Sequence, residues 1–133
     1  MKTRSLLYLA MVLGDLAVFL AFPILGSSEH SDTLSPATMV RNTVPFALAW
    51  LLLAPRLGAF PAVPPTTLRG TLVQVLKAWP VCGLAGLAMR SLVFGRPWAW
   101  SFVIIALLVQ GLLLFVWRFA LTLAMRRGTS RLV

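Results

Sequence analysis

Residues 5–25 read SLLYLAMVLGDLAVFLAFPIL, a run in which one charged side chain, Asp15, interrupts residues that are otherwise apolar, small or a lone proline. At about 1.5 Å of rise per residue, a helix over this run covers roughly 30 Å, the thickness of bilayer hydrocarbon. Working outward from it, comparable apolar runs cover about residues 37–57, 68–94 and 98–125. The composition agrees: 59% of the 133 residues are hydrophobic and 11% are charged, whereas a soluble domain carries roughly a quarter charged residues. One core of a chain this short cannot hide so much apolar surface, so most of it must face lipid. The sequence predicts an all-α polytopic membrane protein, a single domain over 1–133 built as a bundle of four transmembrane helices.

The connections support this division. The stretch from Gly26 to Ser35 is polar, and Pro55, Gly58, Pro61, Pro64 and Pro65 forbid a continuous helix between the second and third spans. Ser35 before Pro36 reads as an N-cap with proline in the first turn, and Thr67 can cap the third helix. Gly95 with Pro97 separates the third helix from the fourth, and Gly128 is expected to end the last one.

Orientation follows from the basic residues. With the N-terminus in the cytoplasm, the inner side carries Lys2, Arg4, Arg56, Arg69, Arg126, Arg127 and Arg131, against Arg41, Arg90 and Arg96 outside. Both termini are therefore expected in the cytoplasm, and the protein in the inner (plasma) membrane. Met1-Lys2-Thr3-Arg4 before an apolar run begins as a signal peptide does, but Asp15 and the length of the run favour an uncleaved first span. The net charge of +9 does not indicate a nucleic-acid partner, because the cations lie beside apolar runs and bilayer topology accounts for them. The expected partners are the lipid bilayer itself and either further copies of the chain or another membrane protein. Three acids, one His and one Cys offer no spacing for a catalytic constellation, a metal cage or a disulfide framework, so neither enzymatic activity nor a cofactor is expected.

Several of these residues carry a resemblance. Asp15 in the first span, Arg41-Asn42-Thr43-Val44-Pro45 with the later Trp50 in the second, and the segment from Met89-Arg90 through Ser101-Phe102-Val103 resemble the uncharacterised prokaryotic family of four-span membrane proteins known as domain of unknown function 3054. The resemblance covers about Leu13 to Phe119. It implies a fold and a membrane location, and no mechanism, since the family carries no established activity.

The residues a bilayer would expel are the informative ones. A charge at mid-depth costs something like 2.5–3.5 kcal/mol on the insertion scale, so it normally faces protein or a wet cavity. Asp15 stands roughly 15 Å from the start of its helix. It can stay protonated or pair with a cation. Counting depth along the other helices brings Lys77 and Gln110 near the same level, while Arg41 and Asn42 start nearer the outer surface and reach inward only through the long Arg41 stem. Asp15 with Lys77 and Asp15 with Arg41 are the expected pairs, and Asp15, Arg41, Asn42, Lys77 and Gln110 form the candidate intramembrane polar cluster. Arg90, Arg96 and Arg118 are expected to anchor helix ends beside Trp98, Trp100 and Trp117. Glu29, His30 and Asp32 read as a solvated loop, and Cys82 as an apolar filler.

Helical phase adds detail. Ala10, Gly14, Ala17 and Ala21 form a stripe of small residues, and Tyr8, Met11, Asp15, Val18 and Phe22 occupy another face. On the third helix, Gln74 and Lys77 share a side with Val81, Leu84 and Ala88, opposite Cys82, Gly86 and Arg90. Pro80 is expected to bend that helix, and Pro45 the second. These features predict a small transporter or ion-coupling protein organised around Asp15. The alternative is a non-catalytic accessory or scaffold subunit of a larger membrane complex. A water-accessible cavity at Asp15 would favour the first, and a dry, packed Asp15 the second.

Overall fold

A computed structural model of the protein describes residues 2–30, 35–61 and 64–130. Four helices account for almost all of them: α1 over Lys2–His30, α2 over Pro36–Leu53, α3 over Leu68–Phe94 and α4 over Trp100–Ser130. A 3-10 turn, Ala54–Leu57, continues α2. All four are long and apolar enough to cross a membrane, and no strand occurs among the described residues.

The helix starts obey the expected capping chemistry. Ser35 Oγ accepts from the Thr38 N–H at 3.2 Å, with Pro36 in the first turn, and Thr67 Oγ1 accepts from the Gly70 N–H at 3.0 Å. Gly95 closes α3 in the left-handed region, at φ +63°. Two ends differ from expectation. α1 runs past Leu25 to His30, so Gly26 to His30 is helix rather than loop; once a helix clears the hydrocarbon, water can solvate polar residues on it. α4 likewise passes through Gly128 to Ser130, because Gly128 holds a helical φ and never turns the chain. The expected solvated segment at Asp32 lies outside the described residues. The helices also continue through Pro23, Pro45 and Pro80. Pro23 lacks the N–H that would bond Phe19 O one turn earlier, and Thr43 Oγ1 from α2 donates to that carbonyl instead, at 3.4 Å.

Each helix packs on its two neighbours in chain order, and α4 returns to α1, closing a ring with α1 and α3 on one diagonal. The centre is aromatic. Trp79 lies within 5.8–6.3 Å, ring centre to ring centre, of Phe19, Trp50 and Phe46. Its Nε1 donates to Leu107 O at 2.8 Å, so the buried indole has a polar partner. On α3 the inward face is Thr71, Val75, Ala78, Trp79, Cys82, Gly83, Gly86 and Leu87, the i, i+3, i+4 stripe of a packed helix. The side bearing Lys77, Val81, Leu84 and Ala88 is exposed. Leu13, Leu20, Leu52, Leu76, Ile104, Leu108 and Leu112 are among the large side chains likewise turned outward. An apolar belt of this extent has no place in water and suits lipid.

Close approach of helices depends on missing side chains at a few places. A Cβ at Gly86 would meet the Phe46 ring at 2.6 Å and its Cα at 3.1 Å, whereas one at Gly26 would meet nothing within 4 Å. Gly86→Ala is therefore expected to destabilise the bundle by about 1–3 kcal/mol through overpacking. Gly26→Ala should be neutral or stabilising, by up to about 1 kcal/mol. Equilibrium unfolding of the two variants in mixed micelles checks the contrast, and equal losses would contradict this packing.

Candidate functional site

The α2–α3 connection folds back into the bundle. Gly58, at φ +84°, reverses the chain after the 3-10 turn, a conformation glycine adopts without a Cβ penalty. The next residue, Ala59, is buried and bonds back through its N–H to Ala54 O at 3.0 Å. From α3, Gln74 Nε2 donates to Gly58 O at 3.4 Å and to Ala59 O at 3.3 Å. The Phe60 ring packs 5.4 Å from Tyr8 of α1 and 6.2 Å from Trp50 of α2. This connection plugs one end of the ring and presents a carbonyl to its interior.

Above the plug lies the charged centre. Asp15 on α1 is fully buried, and Arg118 on α4 is 4% exposed. The guanidinium grips the carboxylate as a fork: Nε donates to Oδ1 at 2.9 Å and Nη2 to Oδ2 at 2.5 Å. Trp50 Nε1 donates to the same Oδ2 at 2.8 Å. Arg118 Nη1 donates to Ala59 O at 2.7 Å and approaches Met11 Sδ at 3.3 Å. Its guanidinium carbon lies 4.8 Å from the centre of the Phe60 ring, within range of a cation–π attraction. One turn further along α4, Thr122 Oγ1 donates to Arg118 O at 2.9 Å, and it lies 3.0 Å from Thr71 Oγ1 of α3. Residues of α1, α2, α4 and the plug therefore meet at one ion pair. Desolvating two charges is expensive, and fork geometry with further hydrogen bonds is what can offset it.

This arrangement corrects the expected pairs. Lys77 has the anticipated depth but the wrong phase: it stands on the exposed side of α3 and makes no hydrogen bond or ion pair among the described residues. Among the described residues Arg41 reaches only Thr38 Oγ1 on its own helix, at 3.3 Å. Asn42 accepts from Arg90 Nε at 2.9 Å, so it belongs to the opposite end of the bundle. Gln110 is fully buried on the same face of α4 as Arg118, roughly 12 Å further along the helix, and its amide N and O both lack a partner among the described residues. Arg118 is not a helix-end anchor but the partner of Asp15. A signal for it exists in the chain: Gln110, Arg118 and Thr122 fall at spacings of eight and four, a polar stripe down one face of an apolar helix.

On α1 the face of Met11, Asp15, Val18 and Phe22 is buried, whereas Ala17 of the small stripe is exposed. Gly14 of that stripe needs its small size, since a Cβ there would overlap the Trp117 indole. Lys77→Ala is consequently expected to change stability by no more than about 0.5 kcal/mol, as an exposed substitution away from any network. Unfolding measured as for the glycine variants would expose any hidden link to Asp15.

Among the described residues no group of three or more His, Cys, Asp or Glu could hold a metal ion. What the site can do chemically is hold a charge pair dry and fix the register of the surrounding elements. No curated protein and no solved structure matches the chain. A family model described as "Protein of unknown function (DUF3054)" matches residues 12–121. With most of the chain covered, including Asp15, Trp50 and Arg118, the protein belongs to this family of unknown function.

Proposed function

We propose that the protein is a non-catalytic membrane scaffold or accessory subunit, a four-helix body locked by Asp15 and Arg118 whose outward apolar faces meet other membrane helices. One observation carries this reading: both Asp15 oxygens are bonded, to Arg118 and Trp50, with no exposed surface on the residue. A carboxylate that handles protons or ions needs a route for them, whereas a saturated, enclosed pair serves to hold elements in place. An open depression at the foot of α1, lined by Lys2, Ser5, Leu6 and Leu9, does not include Asp15 in its lining. The cation-rich end of the bundle, with Lys2, Arg4, Arg56, Arg69, Arg126 and Arg127, supports insertion with both termini in the cytoplasm of the inner membrane.

Transport keeps one supporting observation, the unpartnered Gln110 amide in the core, which a polar solute or water could satisfy. Two measurements on the purified chain separate the readings. The scaffold reading expects a stoichiometric membrane-protein companion after gentle detergent extraction, and vesicles with no more proton flux than protein-free ones. A flux that Asp15→Asn abolishes while the protein stays folded would overturn it.

A further inference from the structure

The end of the bundle opposite the plug carries fewer cations, yet it gathers them. Arg90, near the end of α3, is held in place from two sides: its Nε donates to Asn42 Oδ1 at 2.9 Å, and its guanidinium carbon lies 4.1 Å from the centre of the Phe102 ring on α4. Its two terminal nitrogens have no partner among the described residues. Arg41 precedes Asn42 on α2, and Ser91, the residue after Arg90, donates its Oγ to Arg96 O at 2.9 Å, so the three arginines stand at one end of the bundle. The Arg41 Nε is buried without a partner, and the Arg96 side chain makes no hydrogen bond among the described residues. Among the described residues none of the three arginines meets a counter-charge, unlike Arg118, whose charge is met by Asp15.

We propose that Arg41, Arg90 and Arg96 form a binding site for a phosphate-bearing anion, supplied by a lipid headgroup or by free phosphate. Guanidinium forks match phosphate oxygens in geometry as well as charge. Arg90 is already oriented by Asn42 and Phe102, so little ordering is left for binding to impose. Trp98 and Trp100, both exposed and 6.0 Å apart, mark this end as the level of an interfacial aromatic belt, where phosphodiester headgroups lie. The inference does not depend on the scaffold reading: either a scaffold or a transporter could carry such a site.

The test uses the full chain in a non-ionic detergent, with thermal unfolding followed by tryptophan fluorescence. The probes are short-chain phosphatidylglycerol, the diacylglycerol with the same acyl chains, and inorganic phosphate. Phosphatidylglycerol should raise the melting temperature and diacylglycerol should not. An equal response to inorganic phosphate assigns the site to free phosphate, and a response to phosphatidylglycerol alone assigns it to lipid. Arg41→Gln with Arg96→Gln should weaken binding at least about tenfold, since two charge-assisted contacts are lost. Arg56→Gln with Arg69→Gln, exposed at the other end, should bind as wild type. Should the first pair fail to fold, Arg96→Gln alone decides, with a loss of roughly severalfold. Binding no tighter to either phosphate probe than to diacylglycerol, or equal losses in the two double variants, would overturn the proposal.

Discussion

Arg118→Leu is expected to destabilise the bundle by about 3–5 kcal/mol, the loss seen when one member of a buried pair is removed and the other charge stays behind. Asp15 would keep Trp50 Nε1 as a donor but lose both guanidinium contacts. Ala59 O would lose Arg118 Nη1, which loosens the plug at the same time. Asp15→Leu should cost a similar amount, because it strands the Arg118 cation in the same enclosed space. The informative variant is the double one, Asp15→Leu with Arg118→Leu. With both charges gone, the remaining deficits are the unmet Trp50 N–H, worth about 1–3 kcal/mol, and an Ala59 carbonyl that keeps Gln74 Nε2 but loses its shorter bond. The double variant should therefore be far more stable than the two single losses added together, with a coupling on the order of 2 kcal/mol or more. Denaturant unfolding in micelles of fixed composition gives all four corners of the cycle. Strict additivity would mean that the two residues do not interact.

The second large effect belongs to Trp50. Its ring is 1% exposed and contacts Phe19, Phe60 and Trp79, and its N–H serves Asp15. Trp50→Ala removes packing and donor together and should cost about 3–5 kcal/mol. Trp50→Phe keeps most of the ring while removing the donor, and should cost about 1.5–3 kcal/mol, the range for a hydrogen bond to a charged group. Introduced on an Arg118→Leu background, Trp50→Phe should cost more than it does alone, because among the described residues the Trp50 indole is then the hydrogen bond left to the Asp15 carboxylate. An equal cost on both backgrounds would show that Trp50 acts by packing alone.

The membrane spans were legible because hydropathy over twenty residues is a coarse quantity that neighbouring structure scarcely alters. Ser35, Thr67 and Gly95 were legible as boundaries because capping is local chemistry. Asp15 was recognisable as a buried polar site for the same reason a bilayer disfavours it. Its partner was not recognised, and the cause is geometric. Depth along a helix can be counted from the sequence, and by depth Lys77 qualified; whether a side chain at that depth points inward depends on phase, and phase on α3 is set by Trp79, Cys82 and Gly86. Arg118 resembled a helix-end anchor because the fourth span was expected to stop at about residue 125, when α4 in fact continues to Ser130 and leaves Arg118 three turns inside. The plug was beyond sequence reading: a proline-rich connection announces a loop, but nothing in Ala59 announces that its carbonyl will enter the bundle.

The central claim is that Asp15 and Arg118 are bonded to each other inside a lipid-embedded bundle. Solid-state magnetic resonance in a lipid bilayer, with ¹³C in the aspartates and ¹⁵N in the arginine side chains, measures it directly through the dipolar coupling between them. This account predicts a carboxyl carbon coupled to guanidinium nitrogens at roughly 4 Å or less, and loss of that coupling in Arg118→Lys. An Asp15 carboxyl carbon with no arginine nitrogen within that distance would contradict it.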